Sequence, residues 1–127
     1  MRPTAFLILV CCAAGAIRLV GADAKPGDAE RGRVVFNQCV VCHSTNPQDV
    51  PNPGPDLHGV VGRPAGSVPG FRYSRALRNA RRSWKETTLD AFIADPQAAV
   101  PGNNMPFPGI VEETQRRDLI AHLKTLK

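Results

Sequence analysis

The stretch Cys39-Val40-Val41-Cys42-His43 decides how the rest of the chain is interpreted. Two thiols separated by two residues also occur in disulfide oxidoreductases, in structural zinc sites and in short disulfides. A thioredoxin-like use requires a strand–helix–strand context, which the sequence lacks. A structural zinc ion needs four ligands, and only these two cysteines follow residue 24. A disulfide would leave His43 without a role.

The same spacing is the attachment sequence for c-type haem. Two thiols one helical turn apart can form thioethers with the two vinyl groups on one edge of the macrocycle. The adjacent imidazole can then reach the iron as the proximal ligand. The sequence therefore predicts one covalent haem c, attached through Cys39 and Cys42 and ligated by His43.

The sixth iron ligand is predicted to be Met105, the one methionine after residue 24. It lies in Val100–Gly109, where three Pro and two Gly disfavour a helix. A His/Met ligand pair is an electron-transfer set that raises the reduction potential. The alternative ligands are His58, which lies in a Pro/Gly-rich loop, and His122, which lies beside the apolar stripe of the last predicted helix.

Residues 47–70 contain six Pro and five Gly and show neither helical nor strand periodicity. A structureless connection of this length is unusual inside a small domain. It is too apolar for a disordered linker, because it carries Leu57, Val60, Val61 and Val68. We expect a loop wrapped on a large, rigid, apolar object, and a haem is such an object.

Helical periodicity and capping residues predict an all-α fold of three main helices and one short helix around the haem. The main helices are expected at Asp28–Gln38, Thr88–Ala94 and Glu113–Thr125, and the short one at Ser74–Asn79. Thr87 or Thr88 is the expected cap of the second main helix, and Asp95-Pro96 is expected to end it.

The N-terminus has the features of an export signal. Arg2 supplies a positive charge, Ala5 to Ile17 is an apolar run, and Ala22-Asp23-Ala24 resembles a cleavage site. We expect residues 1–24 to be a signal peptide, residues 25–127 to form one domain, and the product to be periplasmic. An uncleaved membrane anchor is the alternative.

The charge balance is modestly positive. Residues 25–127 hold 14 Lys and Arg against 10 Asp and Glu, and five arginines gather between Arg72 and Arg82. This balance favours acidic partners and is far below that of a nucleic-acid-binding protein.

From about Gly27 to Lys124 the chain resembles the class I cytochromes c, the soluble bacterial type that is similar to the mitochondrial protein. Besides the haem motif, the resemblance rests on Gly54-Pro55-Asp56-Leu57-His58-Gly59, on Pro69–Ser74 with Trp84, and on Pro101–Met105. It implies that the Pro55 carbonyl supports the proximal histidine. It also implies a propionate pocket formed by Arg63, Tyr73, Trp84 and Asn103.

The resemblance implies a soluble carrier of single electrons rather than an enzyme. The expected partners are larger redox proteins: a cytochrome bc1-type donor and an oxidase or photosynthetic reaction centre as acceptor. A monomer without stable membrane insertion and without a nucleic-acid partner is expected. The rival functions are a haem peroxidase or gas-binding protein, which needs an open sixth position, and an exported binding module without haem.

Overall fold

The computed structural model describes residues 25–49 and 53–127, and the predicted signal peptide lies outside these ranges. Five helices follow one another in the described part: α1 Ala29–Phe36, α2 Arg75–Arg78, α3 Glu86–Ala94, α4 Pro96–Ala99 and α5 Glu113–Leu123. The described residues form no β-strand, and one isolated antiparallel β-bridge joins Pro64 and Ser83. The predicted all-α class is confirmed, with one more short helix than the sequence predicted.

Helix α1 begins where the sequence predicts, because the Asp28 carboxylate accepts a hydrogen bond from the Arg31 N–H at 3.0 Å. The regular helix ends at Phe36, two residues earlier than predicted. The chain then continues in turns, and the Cys39 N–H donates to the Phe36 carbonyl at 2.8 Å. The first cysteine of the motif is therefore held on the last turn of a packed helix.

Helices α1 and α5 pack with their backbones in contact. A Cβ atom on Gly32 would lie 1.9 Å from the Asp118 carbonyl oxygen, and one on Gly27 would lie 2.1 Å from that of Arg117. Only glycine permits this approach at either position. Leu119 and the neighbouring buried stripe of α5 face the core, and the helix ends at Leu123 rather than at the predicted Thr125.

Helix α3 begins at Glu86, so the predicted start at Thr88 is wrong. Thr88 is the third residue of the helix, and its hydroxyl accepts a hydrogen bond from the Lys85 N–H at 2.9 Å. A threonine hydroxyl can accept the hydrogen bond of the capping residue's N–H from within the first turn of a helix. Thr88 therefore did not mark the first residue of α3. The predicted end before Asp95 is confirmed.

Helix α4 was not predicted. The Asp95 carboxylate accepts hydrogen bonds from the Gln97 and Ala98 N–H groups at 3.1 and 3.0 Å, and Pro96 is the first residue of the helix. An aspartate cap followed by proline is a helix-start pattern as well as a stop. The pair therefore ends α3 and begins α4.

The region between α1 and α2 is irregular, as predicted, throughout its described part. Backbone hydrogen bonds from Gly62 N–H to the Trp84 carbonyl and from Trp84 N–H to the Arg63 carbonyl, each 2.9 Å, tie it to the segment before α3. Gly66 lies against α2, where a Cβ would come within 2.8 Å of the Leu77 carbonyl oxygen. The loop is thus held by hydrogen bonds to the segment before α3 and by close packing against α2.

The core combines side chains from α1, α2, α3 and α5 with residues of the irregular segments. Its buried apolar members are Phe36, Val60, Leu77, Trp84, Leu89, Phe92, Ile93, Val100, Ile110, Leu119, Ile120 and Leu123. Half-buried apolar side chains border this core, among them Leu57, Val61, Tyr73, Met105 and Phe107. Within the described ranges, none of the helices has the length and apolarity needed to cross a membrane.

Candidate haem site

The cysteine–histidine motif forms one turn of helix-like backbone after α1. The Cys42 and His43 N–H groups both donate to the Cys39 carbonyl, at 3.1 and 2.9 Å. The two thiols are free and half-buried, and the residues between them, Val40 and Val41, are 49% and 77% exposed. The turn therefore directs the thiols inward and leaves the intervening residues on the surface.

The environment of Cys39 opposes a redox-active dithiol. Burial raises the pKa of the Cys39 thiol to about 11, which keeps it protonated at neutral pH. Disulfide oxidoreductases require the opposite, a lowered thiol pKa. In residues 25–49 and 53–127, no group of three or more His, Cys, Asp and Glu side chains is arranged to hold a metal ion.

His43 is held in one orientation. Its Nδ1 donates a hydrogen bond to the Pro55 carbonyl oxygen at 2.7 Å, so the proton resides on Nδ1 and the Nε2 lone pair is available. Burial lowers the His43 pKa, the Pro55 hydrogen bond partly opposes this, and the Arg63 charge lowers the pKa further. The imidazole is therefore favoured in its neutral form, which is the form that binds metals.

The neighbouring backbone leaves room for this ring. A Cβ atom on Gly54 would lie 2.6 Å from His43 Cε1, so the glycine forms a cradle that any side chain would fill. The Gly54 N–H also donates to the Cys42 carbonyl at 2.7 Å. Pro55 and Gly54 thus fix the imidazole relative to the cysteine turn.

Met105 lies in an irregular segment, as predicted, and its side chain is half-buried. Its N–H donates to Asn103 Oδ1 at 2.9 Å, and its carbonyl accepts from the Phe107 N–H at 2.9 Å. The structure therefore presents a thioether on a tightly hydrogen-bonded segment beside the core.

Arg63, Tyr73 and Trp84 belong to the lobe between α1 and α3. The Arg63 guanidinium donates to the His58 and Asp56 carbonyls, both at 2.7 Å, and lies 3.6 Å from the Asp56 carboxylate. Trp84 is buried against Phe92, with ring centroids 4.9 Å apart. The Tyr73 hydroxyl accepts from the Val68 N–H at 3.3 Å. Among the described residues, neither this hydroxyl hydrogen nor the indole N–H of Trp84 has an acceptor.

The two alternative ligands have other contacts. The His122 ring packs on Phe36 with 5.0 Å between centroids, which gives it a role in the contact between α1 and α5. The His58 backbone N–H donates to Asp56 Oδ1 at 3.1 Å, and its carbonyl accepts from Arg63.

The family profile described as cytochrome c matches residues 29–127. The chain belongs to the cytochrome c family. It is 46% identical over 99 residues to a cytochrome c2 of Rhodomicrobium vannielii, and the aligned region covers 78% of this chain and 79% of the relative. It is 45% identical to a cytochrome c of Euglena viridis over 80% of this chain and 99% of the relative. The solved structure of cytochrome cH from Methylobacterium extorquens matches with a TM-score of 0.73 and 41% identity, over 78% of this chain and 99% of that one.

Members of the cytochrome c family are electron carriers rather than enzymes, and they carry one covalently attached haem c. The donor set of this cytochrome c domain fits that group. It offers two free thiols on one turn, a neutral imidazole with a free nitrogen over a glycine cradle, and a thioether on a rigid segment. Cys39 and Met105 are themselves among the half-buried apolar side chains that border the core, which suits a flat apolar macrocycle.

Asn103 is buried, and its side chain is hydrogen-bonded within the protein. Its amide nitrogen donates to the Pro96 and Val100 carbonyls at 2.7 and 2.9 Å. The helix that supplies the Pro96 carbonyl, α4, was missed in the sequence. The Asp95-Pro96 pair was the available signal, because it can begin a helix as well as end one.

Proposed function

We propose that the chain is a soluble, periplasmic, single-electron carrier whose haem iron is ligated by His43 and Met105. The observation that carries this proposal is the fixed His43 imidazole, with Nδ1 on the Pro55 carbonyl at 2.7 Å and Nε2 left for a metal. When bound, the haem supplies an iron centre that takes up and releases one electron. Every other part of the work falls to the chain.

The first task of the chain is to keep both axial donors still. Pro55 and the Gly54 cradle hold His43 on one side, and the Asn103 side chain holds the backbone of Met105 on the other. If the haem is bound, donors held in this way would move little when the charge of the iron changes, so little reorganisation would oppose electron transfer. Ligation by Met105 would also close the sixth position to substrates, which disfavours a peroxidase or gas-binding function.

The second task is to expose one edge of the site. Val40 and Val41 are both exposed, and the thiols beside them are half-buried. A haem attached to these thiols would have its thioether edge close to the protein surface. Such an edge would suit outer-sphere transfer to a partner, in which no bond is made or broken.

The third task is to satisfy the propionates, because buried carboxylates need hydrogen bonds or opposite charge. We assign this role to the Tyr73 hydroxyl hydrogen, the Trp84 indole N–H and the positive charge of Arg63. The Tyr73 hydroxyl hydrogen and the Trp84 indole N–H have no acceptor in the described part of the chain. Arg63 is half-buried, and its backbone carbonyl accepts a hydrogen bond from the Trp84 N–H.

The proposed partners are larger redox complexes, with a cytochrome bc1-type donor and an oxidase or reaction centre as acceptor. The signal-like residues 1–24 support export to the periplasm, where such complexes present docking surfaces. The positive charge of residues 25–127 suits acidic docking sites on these partners.

The experiment is a potentiometric titration of the purified holoprotein, followed by addition of carbon monoxide to its reduced form. We expect a single one-electron transition and no change of spectrum with carbon monoxide, because Met105 fills the sixth position. Rapid carbon monoxide binding by the native protein would favour the gas-binding or peroxidase alternative.

A further inference from the structure

Asn103 is a buried polar residue with every side-chain polar group engaged. It is 6% exposed, and its amide nitrogen donates to the Pro96 and Val100 carbonyls at 2.7 and 2.9 Å. Its Oδ1 accepts from the Met105 N–H at 2.9 Å. One side chain therefore links helix α4 directly to the backbone of Met105.

Gln97 reinforces the same link from the protein surface. Its Nε2 donates to the Asn103 backbone carbonyl at 2.9 Å, while the Asn103 N–H donates to the Val100 carbonyl at 3.1 Å. Both main-chain groups of Asn103 are thus engaged, the carbonyl with Gln97 of α4 and the N–H with Val100, the residue that follows α4. The polar groups of Asn103 are therefore all hydrogen-bonded. A fully satisfied polar network of this kind makes the local structure rigid.

The far end of the segment is fastened independently. The Ile110 N–H donates to the Ile93 carbonyl at 2.8 Å, and Arg116 donates to the Ile110 and Val111 carbonyls at 2.9 and 2.6 Å. A Cβ on Gly109 would lie 2.1 Å from the Ala94 carbonyl oxygen. We call residues 103–110 the methionine strap, because its two ends are tied and Met105 lies between them.

We infer that Asn103 is a positioning residue, and that its side-chain hydrogen bonds keep Met105 from leaving the sixth coordination position. This inference rests on the proposed His43/Met105 ligation. Within 104–108 the backbone has one bond of its own, from the Phe107 N–H to the Met105 carbonyl at 2.9 Å. The other hydrogen bond of the Met105 backbone in the described structure is the one from its N–H to Asn103 Oδ1.

The proposal predicts how external ligands behave. Imidazole can bind the ferric protein only while Met105 is detached, so its apparent affinity scales with the open fraction of the strap. Asn103→Leu keeps the branched shape of the side chain but loses all three of its hydrogen bonds, and we expect about tenfold tighter imidazole binding. Asn103→Asp keeps the acceptor for the Met105 N–H but loses both donors, and we expect an intermediate increase.

A second readout does not depend on an added ligand. In the reduced holoprotein, hydrogen exchange of the Met105 amide, followed by NMR, reports directly on its bond to Asn103 Oδ1. We expect exchange to accelerate at least tenfold in Asn103→Leu and to remain near the native rate in Asn103→Asp. Native exchange rates in both variants would overturn the inference.

Controls separate this role from general stability. Asp118→Asn weakens the distant contact between α1 and α5, and it should leave imidazole affinity unchanged. If Asn103→Leu does not fold, the exposed Gln97→Ala variant tests the same link, with an expected two- to threefold increase in imidazole affinity. An unchanged affinity in the folded Asn103 or Gln97 variants would overturn the inference.

The Met105→Leu variant separates the proposed ligation by Met105 from the proposed role of Asn103. If it binds imidazole far more tightly than the native protein while Asn103→Leu does not, the ligation stands and the role of Asn103 falls. If Met105→Leu binds imidazole as the native protein does, Met105 is not the ligand and both proposals fall.

Discussion

Arg31 holds the Asp118 carboxylate with two hydrogen bonds, from Nε at 2.7 Å and from a terminal nitrogen at 2.9 Å, and so joins helix α1 to helix α5. Asp118 is 4% exposed and also accepts from the Asp28 N–H at 2.7 Å. Its pKa is lowered chiefly by the Arg31 hydrogen bond, with burial opposing and the Asp28 N–H assisting. A buried carboxylate bound in this way stabilises the helix pair in its ionised form.

Asp118→Asn should lower the free energy of unfolding of the holoprotein by about 2 kcal/mol, because a charge-assisted bidentate contact is lost in a buried position. Guanidinium unfolding at pH 7 measures this. Glu30→Gln is the matched control, because the exposed Glu30–Arg33 pair is 3.7 Å apart and should contribute less than about 1 kcal/mol.

The pH dependence has a definite sign. The pKa of Asp118 is lower in the folded state, so the unfolded state binds the proton more readily and acid favours unfolding. The stabilisation is complete above the ordinary aspartate value of about 3.9 and is lost below it. The difference between wild type and Asp118→Asn should therefore shrink as the pH falls below about 4. A constant difference down to pH 2 would contradict this account.

Gly32→Ala should destabilise the protein far more than its size suggests. The added methyl would lie 1.9 Å from the Asp118 carbonyl oxygen, so the helices must separate. We expect a loss of about 3 kcal/mol in the free energy of unfolding. Val34→Ala on the same helix is the control, because Val34 is 63% exposed and should change stability by less than about 0.5 kcal/mol. Equal effects of the two substitutions would show that the helices are not in backbone contact.

The double substitution Cys39→Ala with Cys42→Ala should leave no covalent haem and little helical structure. Several apolar side chains, such as Leu57, Val61 and Phe107, are only half-buried by the chain itself, and we expect the haem to complete their burial. A haem stain on a denaturing gel and far-ultraviolet circular dichroism measure both effects. Val41→Ala should retain attachment, since Val41 is exposed. A stable, helical, haem-free double variant would contradict the role of the haem in folding.

The sequence was most informative where chemistry and local pattern agree. The spacing of Cys39, Cys42 and His43 predicted the haem, and Asp28 predicted the start of α1, because each depends on neighbouring residues alone. Two features were missed for the opposite reason. The salt bridge between Arg31 and Asp118 joins residues 87 positions apart, which no local sequence pattern reveals. The role of Asn103 depends on the carbonyls of α4, a helix that the Asp95-Pro96 pair concealed.

A basic lobe at residues 57–85 should steer anionic partners. It contains seven of the fourteen Lys and Arg of residues 25–127 and none of the ten acids, so the remainder has a net charge of −3. Its arginines at 72, 75, 78 and 81 are exposed. The rate of electron transfer to ferricyanide should therefore fall as salt is added, because ions screen charges within about 10 Å at 0.1 M.

Substitution tests whether the lobe itself is responsible for steering. Arg75→Gln with Arg78→Gln should slow oxidation by ferricyanide at low salt by about threefold, since two charges are lost from the lobe. Arg33→Gln, on α1 and already beside Glu30, should have a smaller effect. Equal slowing per charge removed would assign the effect to net charge rather than to the lobe.

We propose above all that Met105 and His43 both ligate a haem that carries electrons and catalyses no substrate reaction. The most direct measurement is the weak red charge-transfer band that marks methionine bound to ferric haem, recorded for the native protein and for Met105→Leu. We predict that the band is present in the native protein, and that it is absent in Met105→Leu, which then binds small ligands. A native protein without the band, or a Met105→Leu variant that retains it, would contradict the account.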